Sequence, residues 1–73
     1  MNIFTYTIET DEFTNLGMHE GDILIILPRI KYNNDDLVLT VDFDSERKYI
    51  KIFHEVAVDE HVLGRVMSRE MIV

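Results

Sequence analysis

Glu20-Gly21-Asp22-Ile23-Leu24-Ile25-Ile26-Leu27-Pro28 reads as a turn, an apolar strand and a stop. Gly-Asp starts the run, the β-branched residues favour extended backbone, and Pro28 denies the strand a further donor. A continuous apolar run of this length suits a central strand buried on both faces. It is far too short to cross a bilayer as a helix. Upstream, Phe4, Tyr6 and Ile8 alternate with Thr5, Thr7 and Glu9, the pattern of a half-buried strand. Between the two, Thr10 or Asp11 is positioned to cap a short helical turn that places Phe13 and Leu16 on one face and closes at Gly17.

Downstream, Asn33-Asn34-Asp35-Asp36 is a second turn signal. Leu37, Leu39, Val41 and Phe43 then alternate with Val38, Thr40 and Asp42. The stretch Asp44-Ser45-Glu46-Arg47 turns the chain into Tyr49–Phe53, its hairpin partner. A weaker strand is expected over Glu55–Val58 and a last one over Val62–Met67. The fold class is therefore mainly β: a small twisted sheet or partly open barrel of five to six short strands with one helical turn.

With 73 residues, the chain makes one domain near the lower size limit for a single core. Its 47% apolar content is too high for a disordered chain, and without cysteine it has neither disulfides nor thiolate metal ligands. Stability must come from packing, which association often supplements in chains of this size. No secretory signal pattern opens the sequence, so a cytoplasmic location is expected. The net charge of −7 is unevenly spread, with Glu9, Asp11, Glu12, Glu20 and Asp22 all preceding the first Lys or Arg, Arg29. This acidic patch argues against direct binding to nucleic acid or anionic membranes. It aids solubility and can attract a basic protein surface.

The order of these pieces resembles the C-terminal domain of LexA and the phage repressors, the LexA-like serine peptidase family. That family carries Gly-Asp-Ser-Met, then Asp-Gly-Asp before an apolar strand, Gly-Asp before a second strand, Val-Lys-Arg after a hairpin, and a closing Gly-Val-Val-like strand. Here Thr10-Asp11-Glu12-Phe13 takes the first position and Glu20-Gly21-Asp22 the second, with the family's spacing from Glu12 to Asp22. Asp35-Asp36-Leu37-Val38, Ile50-Lys51-Ile52 and Leu63-Gly64-Arg65-Val66 take the remaining three. The match spans almost the whole chain, but each motif is common on its own.

The resemblance implies a Ser–Lys dyad, and the sequence departs from it at the nucleophile. Glu12 stands where the serine belongs, while Lys51 keeps the lysine position. A carboxylate there is a poor acyl-transfer nucleophile and favours the protonated lysine. Ser45 lies in a turn and Ser68 beyond the last expected strand, so neither replaces it. The interval from Lys51 to Gly64 is also short for the family's cleft-building hairpin. The degenerate dyad positions Glu12 and Lys51 are expected to meet as a structural ion pair.

Other constellations are weaker. His19, His54 and His61 are scattered. His61 beside Asp59 and Glu60 makes at most a weak divalent-metal site, and exposed turn residues are the simpler reading. No metal or cofactor is expected. The glycines read as turn or close-packing positions. Val62, Val66, Met67, Met71 and Ile72 form an apolar C-terminal segment that either folds onto the core or offers a partner an edge strand and an apolar tail. The expectation is a peptidase-dead interaction module, pairing with itself or with a LexA-like repressor in a phage or mobile-element setting. The rival is an acidic DNA mimic that blocks a nucleic-acid-binding protein.

Overall fold

A computed structural model describes residues 2–69. Five strands, β1 (Phe4–Thr7), β2 (Ile23–Leu27), β3 (Leu37–Asp42), β4 (Lys48–Ile52) and β5 (Glu60–Arg69), form one open sheet in the order β1-β2-β5-β3-β4. Every neighbouring pair is antiparallel. Two 3-10 turns, Thr14–Leu16 and Phe53–Glu55, complete the regular structure.

The last strand in sequence is thus the middle strand in space. It joins a β1–β2 pair to the β3–β4 hairpin, so β2 is interior without being central. On β2, Leu24 and Ile26 are fully buried while Ile23, Ile25 and Leu27 are half-buried, so only one face of this strand is sealed. Instead β3 is covered on both faces, with Val38, Leu39 and Thr40 all fully buried. The simple alternation expected there breaks down because β3 has neighbours on both sides and cover above and below. Phe43, expected to join that alternation, lies past the strand and is largely exposed.

The core sits on one face of the sheet. Leu24, Ile26, Leu39 and Ile50 project onto it, and Ile8, Phe13 and Met18 from the β1–β2 connection pack over them. Phe13 and Leu16 do share a packed face, and Gly17 closes the turn at φ 77°. Neither Thr10 nor Asp11 caps it, however: Phe13 holds the N-cap position without a side-chain bond. Thr10 Oγ1 accepts from the Glu12 amide, and Asp11 Oδ1 accepts from the Glu20 amide, each at 3.0 Å.

The register of β5 shifts once against β2, between Ile25 and Ile26, and once against β3, between Leu39 and Thr40. Such bulges raise local twist. The sheet curls toward its core face until Tyr6, Glu9 and Thr10 line one cleft with Glu46, Arg47 and Lys48, although β1 and β4 never pair. The extra strand expected over Glu55–Val58 does not form. Register pairing of β4 with β3 ends at Ile52↔Leu37; beyond it Phe53 and His54 N–H donate to the Asp36 and Asn34 carbonyls of the preceding turn, and the chain then turns, with Val56 N–H donating to the Phe53 carbonyl.

Gly64 is where β5 passes closest to β2. A Cβ there would overlap Ile26 Cγ2 and come within 3.0 Å of the Leu27 carbonyl carbon. Gly64→Ala should therefore destabilise the fold by about 1–3 kcal/mol through overpacking. Urea unfolding should show a lower midpoint with little change in slope; an unchanged midpoint would mean that the close approach carries no constraint.

Candidate functional site

The β1–β2 connection brings Glu12 beside the open edge of β4. A cleft of about 280 Å³ separates them, lined by Glu12, Phe13, Asn15 and Leu16 on one side and Ile50, Lys51, Ile52 and Glu55 on the other. The two positions singled out by the resemblance thus share one cleft. They do not pair. Glu12 Oε1 accepts from Arg47 Nη2 at 2.6 Å, with both side chains about half exposed. Lys51 Nζ instead donates to Glu60 Oε1 at 2.6 Å.

The reason for this correction lies in strand register. Lys51 faces Val38 across the β3–β4 ladder, and Val38 faces Arg65 across the β3–β5 ladder. Side chains directly opposite share a face, so Lys51 stands on the face opposite Leu39 and Ile50. There Glu60, at the start of β5, receives it. Glu12 is left to Arg47, which the β3–β4 turn delivers.

Glu60 is the most committed charged group of this network. Its side chain is only 3% exposed, against 32% for Lys51. Oε1 also accepts from the Ala57 amide at 3.0 Å, and Oε2 accepts from the Thr40 hydroxyl at 3.0 Å. Burial pushes the Glu60 carboxyl up, but the bonds from Lys51, Ala57 and Thr40 outweigh it and hold the group below the ordinary glutamate value. Nearby, Arg65 Nε lies 3.4 Å from Asp36 Oδ1. The aliphatic stems of Lys51 and Arg65 flank Val38 and help seal this face. Lys51 also sits 5.2 Å from the Tyr49 ring centre, and Arg47 lies 5.4 Å from it.

The acidic patch is partly tied into its own loop. Besides the bonds of Asp11 and Glu12, Asp22 Oδ2 accepts from the His19 amide at 2.9 Å. Glu9 shares its cleft with Arg47 and Lys48, so cations stand among the carboxylates. His61 packs its ring against Phe43, while Glu60 turns its carboxylate to Lys51 and Thr40 rather than to His61. Among the described residues, no group of three or more His, Asp or Glu side chains is placed to hold one metal ion.

Val62 and Val66 lie half-buried in central β5, so they are built into the sheet and do not offer a partner an edge. Met67 is exposed at the bulge opposite β2. Met71 and Ile72 fall outside the described residues. The sequence reading missed Arg47, Thr40 and the structural role of Glu60, because no local pattern links residues so far apart in the chain.

The protein is thus an open five-stranded antiparallel sheet with a cleft of mixed polar and apolar lining beside β4. Comparison with protein-family models, with curated proteins and with solved structures gives no match.

Lys51→Met should cost about 1–3 kcal/mol, because it strips a buried carboxylate of its ammonium while leaving two neutral donors. The lowered pKa of Glu60 adds stability above the ordinary glutamate range, near pH 4.3, and that gain is lost as pH falls through the lowered value. The variant should therefore unfold in acid at a higher pH than the parent. Glu12→Ala should change stability by about 0.5 kcal/mol or less, as for other exposed pairs. Equal losses from both variants, read by denaturant and acid titrations, would contradict this ranking.

Proposed function

We propose that the protein is a non-catalytic interaction module that pairs with itself or with a LexA-like repressor, most naturally as a regulator in a phage or mobile element. The observation that carries this reading is the separation of the two dyad positions into different ion pairs. A Ser–Lys mechanism needs a hydroxyl nucleophile and a neutral amine beside it. Here the nucleophile position holds a carboxylate bound to Arg47, and the lysine is engaged with buried Glu60. What remains available is an open sheet whose outer strands have unpaired edges, and such edges take up partner strands. Met67 adds exposed apolar surface at the end of β5.

The acidic-mimic reading draws on Glu9, Asp11, Glu12, Glu20 and Asp22. The loop bonds of Asp11 and Asp22 and the Glu12–Arg47 pair favour a structural use of that charge. The two readings differ in salt response, since charge mimicry weakens steeply with ionic strength and a strand interface does not.

Light scattering of the purified chain, alone and mixed with the C-terminal domain of a LexA-like repressor, should reveal a dimer or a mixed complex that persists in salt. Monomers throughout, with no mixed complex, would contradict the proposal. Glu12→Ser should remain unlabelled by a serine-reactive phosphonate because Lys51 is held elsewhere. Labelling would show a competent base and overturn the non-catalytic reading.

A further inference from the structure

The two outer strands of the sheet are protected very differently. Along β4, the ladder bonds from Phe53 N–H to the Asp36 carbonyl and from Asp42 N–H to the Arg47 carbonyl set the phase. Bonding alternates in an antiparallel ladder, so Lys48, Ile50 and Ile52 present their backbone groups outward. That edge carries Arg47, Lys48 and Lys51, and the segment Glu12–Leu16 stands across the cleft from it. Charge and cover of this kind discourage edge pairing.

β1 carries no charge of its own; Tyr6 shares a cleft with Glu46, Arg47 and Lys48, but Thr5 and Thr7 lie outside that cleft. From Asn2 to Ile8 no side chain is charged, and the strand is rich in aromatic and β-branched residues. Ile8 N–H donates to the Asp22 carbonyl at 2.9 Å, and the Ile8 carbonyl accepts from Gly21 at 2.8 Å, so Ile8 faces β2. By the same alternation Tyr6 and Phe4 face β2, while Thr5 and Thr7 point their backbone groups away from the sheet. Thr5 and Thr7 are exposed, as are Ile3 at 61% and Phe4 at 38%.

We infer that β1 is a homodimerisation edge, on which β1 of a second copy pairs antiparallel about a two-fold axis through Tyr6. This inference rests on the self-pairing branch of the function proposed above and assigns it a strand and a register. The occupant is a second copy for two reasons. In a chain of net charge −7, two copies meet most favourably where neither is charged, and β1 is the uncharged outer strand. The strand is also self-complementary. Centring on Tyr6 sets Thr5 against Thr7 of the second copy and Thr7 against Thr5, so every outward donor and acceptor of both residues finds a partner. It also places the threonines in cross-strand pairs and Tyr6 opposite Tyr6, both favourable combinations. A register centred on Thr7 would instead set Thr5 opposite Glu9. Pairing through β4 would bring two sets of Arg47, Lys48 and Lys51 together. The β1 dimer would be one continuous sheet of ten strands, closed by its two-fold axis.

The chain has no cysteine, so cross-linking reads the register directly. Thr5→Cys and Thr7→Cys are made separately at exposed positions and oxidised alone and as a mixture. The mixture should give a disulfide-linked dimer of one copy of each, in excess of either variant's self-linked product, because opposed strand residues lie within disulfide reach. No excess of the mixed product would overturn the register. Light scattering of the double variant Thr5→Lys/Thr7→Lys should show a folded monomer by circular dichroism where the parent is a dimer. A dimer that survives both lysines would overturn the β1 edge while leaving the self-pairing function intact. A parent that stays monomeric at every concentration would remove the self-pairing branch and this inference together.

Discussion

The placement of β5 between β2 and β3 is the constraint on which the rest of the structure depends. The β1–β2 pair and the β3–β4 hairpin each satisfy their own ladders, but neither seals a core alone. β5 supplies the missing hydrogen-bonded neighbour to both, and it is the last strand to appear in sequence. Its position explains why a glycine is needed at Gly64, where β5 runs tight against Ile26 and Leu27. Its two register shifts curl the sheet over Ile8, Phe13 and Met18. Its first residue, Glu60, anchors the opposite face through Lys51 and Thr40. These are non-local contacts, whose ordering cost is met only once the whole chain is present.

The same arrangement decides what the polar residues can do. A lysine in a peptidase-like position suggests chemistry, yet register turns it toward a buried carboxylate. Removing a charge from water is costly, and Glu60 is tolerated because three donors converge on it. Lys51 is one of those donors, so freeing it would leave Glu60 short of a partner. Glu12 and Arg47, by contrast, bridge across solvent and fasten the β1–β2 connection loosely to the β3–β4 turn. Structural needs therefore absorb the charged groups of the cleft, while the outer edge of β1 remains uncommitted.

Much of the fold was legible because its signals are local. Alternation marked β1, the apolar run before Pro28 marked β2, and turn signals at Asn33–Asp36 and Asp44–Arg47 framed β3 and β4. The helical turn closing at Gly17 was legible for the same reason, although its cap was not, since Thr10 and Asp11 serve other amides. Strand order was not legible. Nothing within Glu60–Arg69 says that it inserts between two earlier strands, and this single fact controls which residues oppose one another. The expected Glu12–Lys51 pair failed on that point, and so did the reading of Val62 and Val66 as an edge. Glu55–Val58 failed differently: its composition permits a strand, but register pairing of β4 with β3 has already ended at Ile52↔Leu37.

The central claim is that a sheet locked by β5 keeps the β1 edge free for a second copy. Residue-resolved amide hydrogen exchange across a dilution series tests it most directly. Interior ladder amides of β2, β3 and β5 should stay protected at every concentration. The Thr5 and Thr7 amides should be protected when the protein is concentrated and exchange freely on dilution. Protection that instead develops at Lys48, Ile50 and Ile52, or Thr5 and Thr7 amides that exchange freely in a demonstrated dimer, would contradict the account.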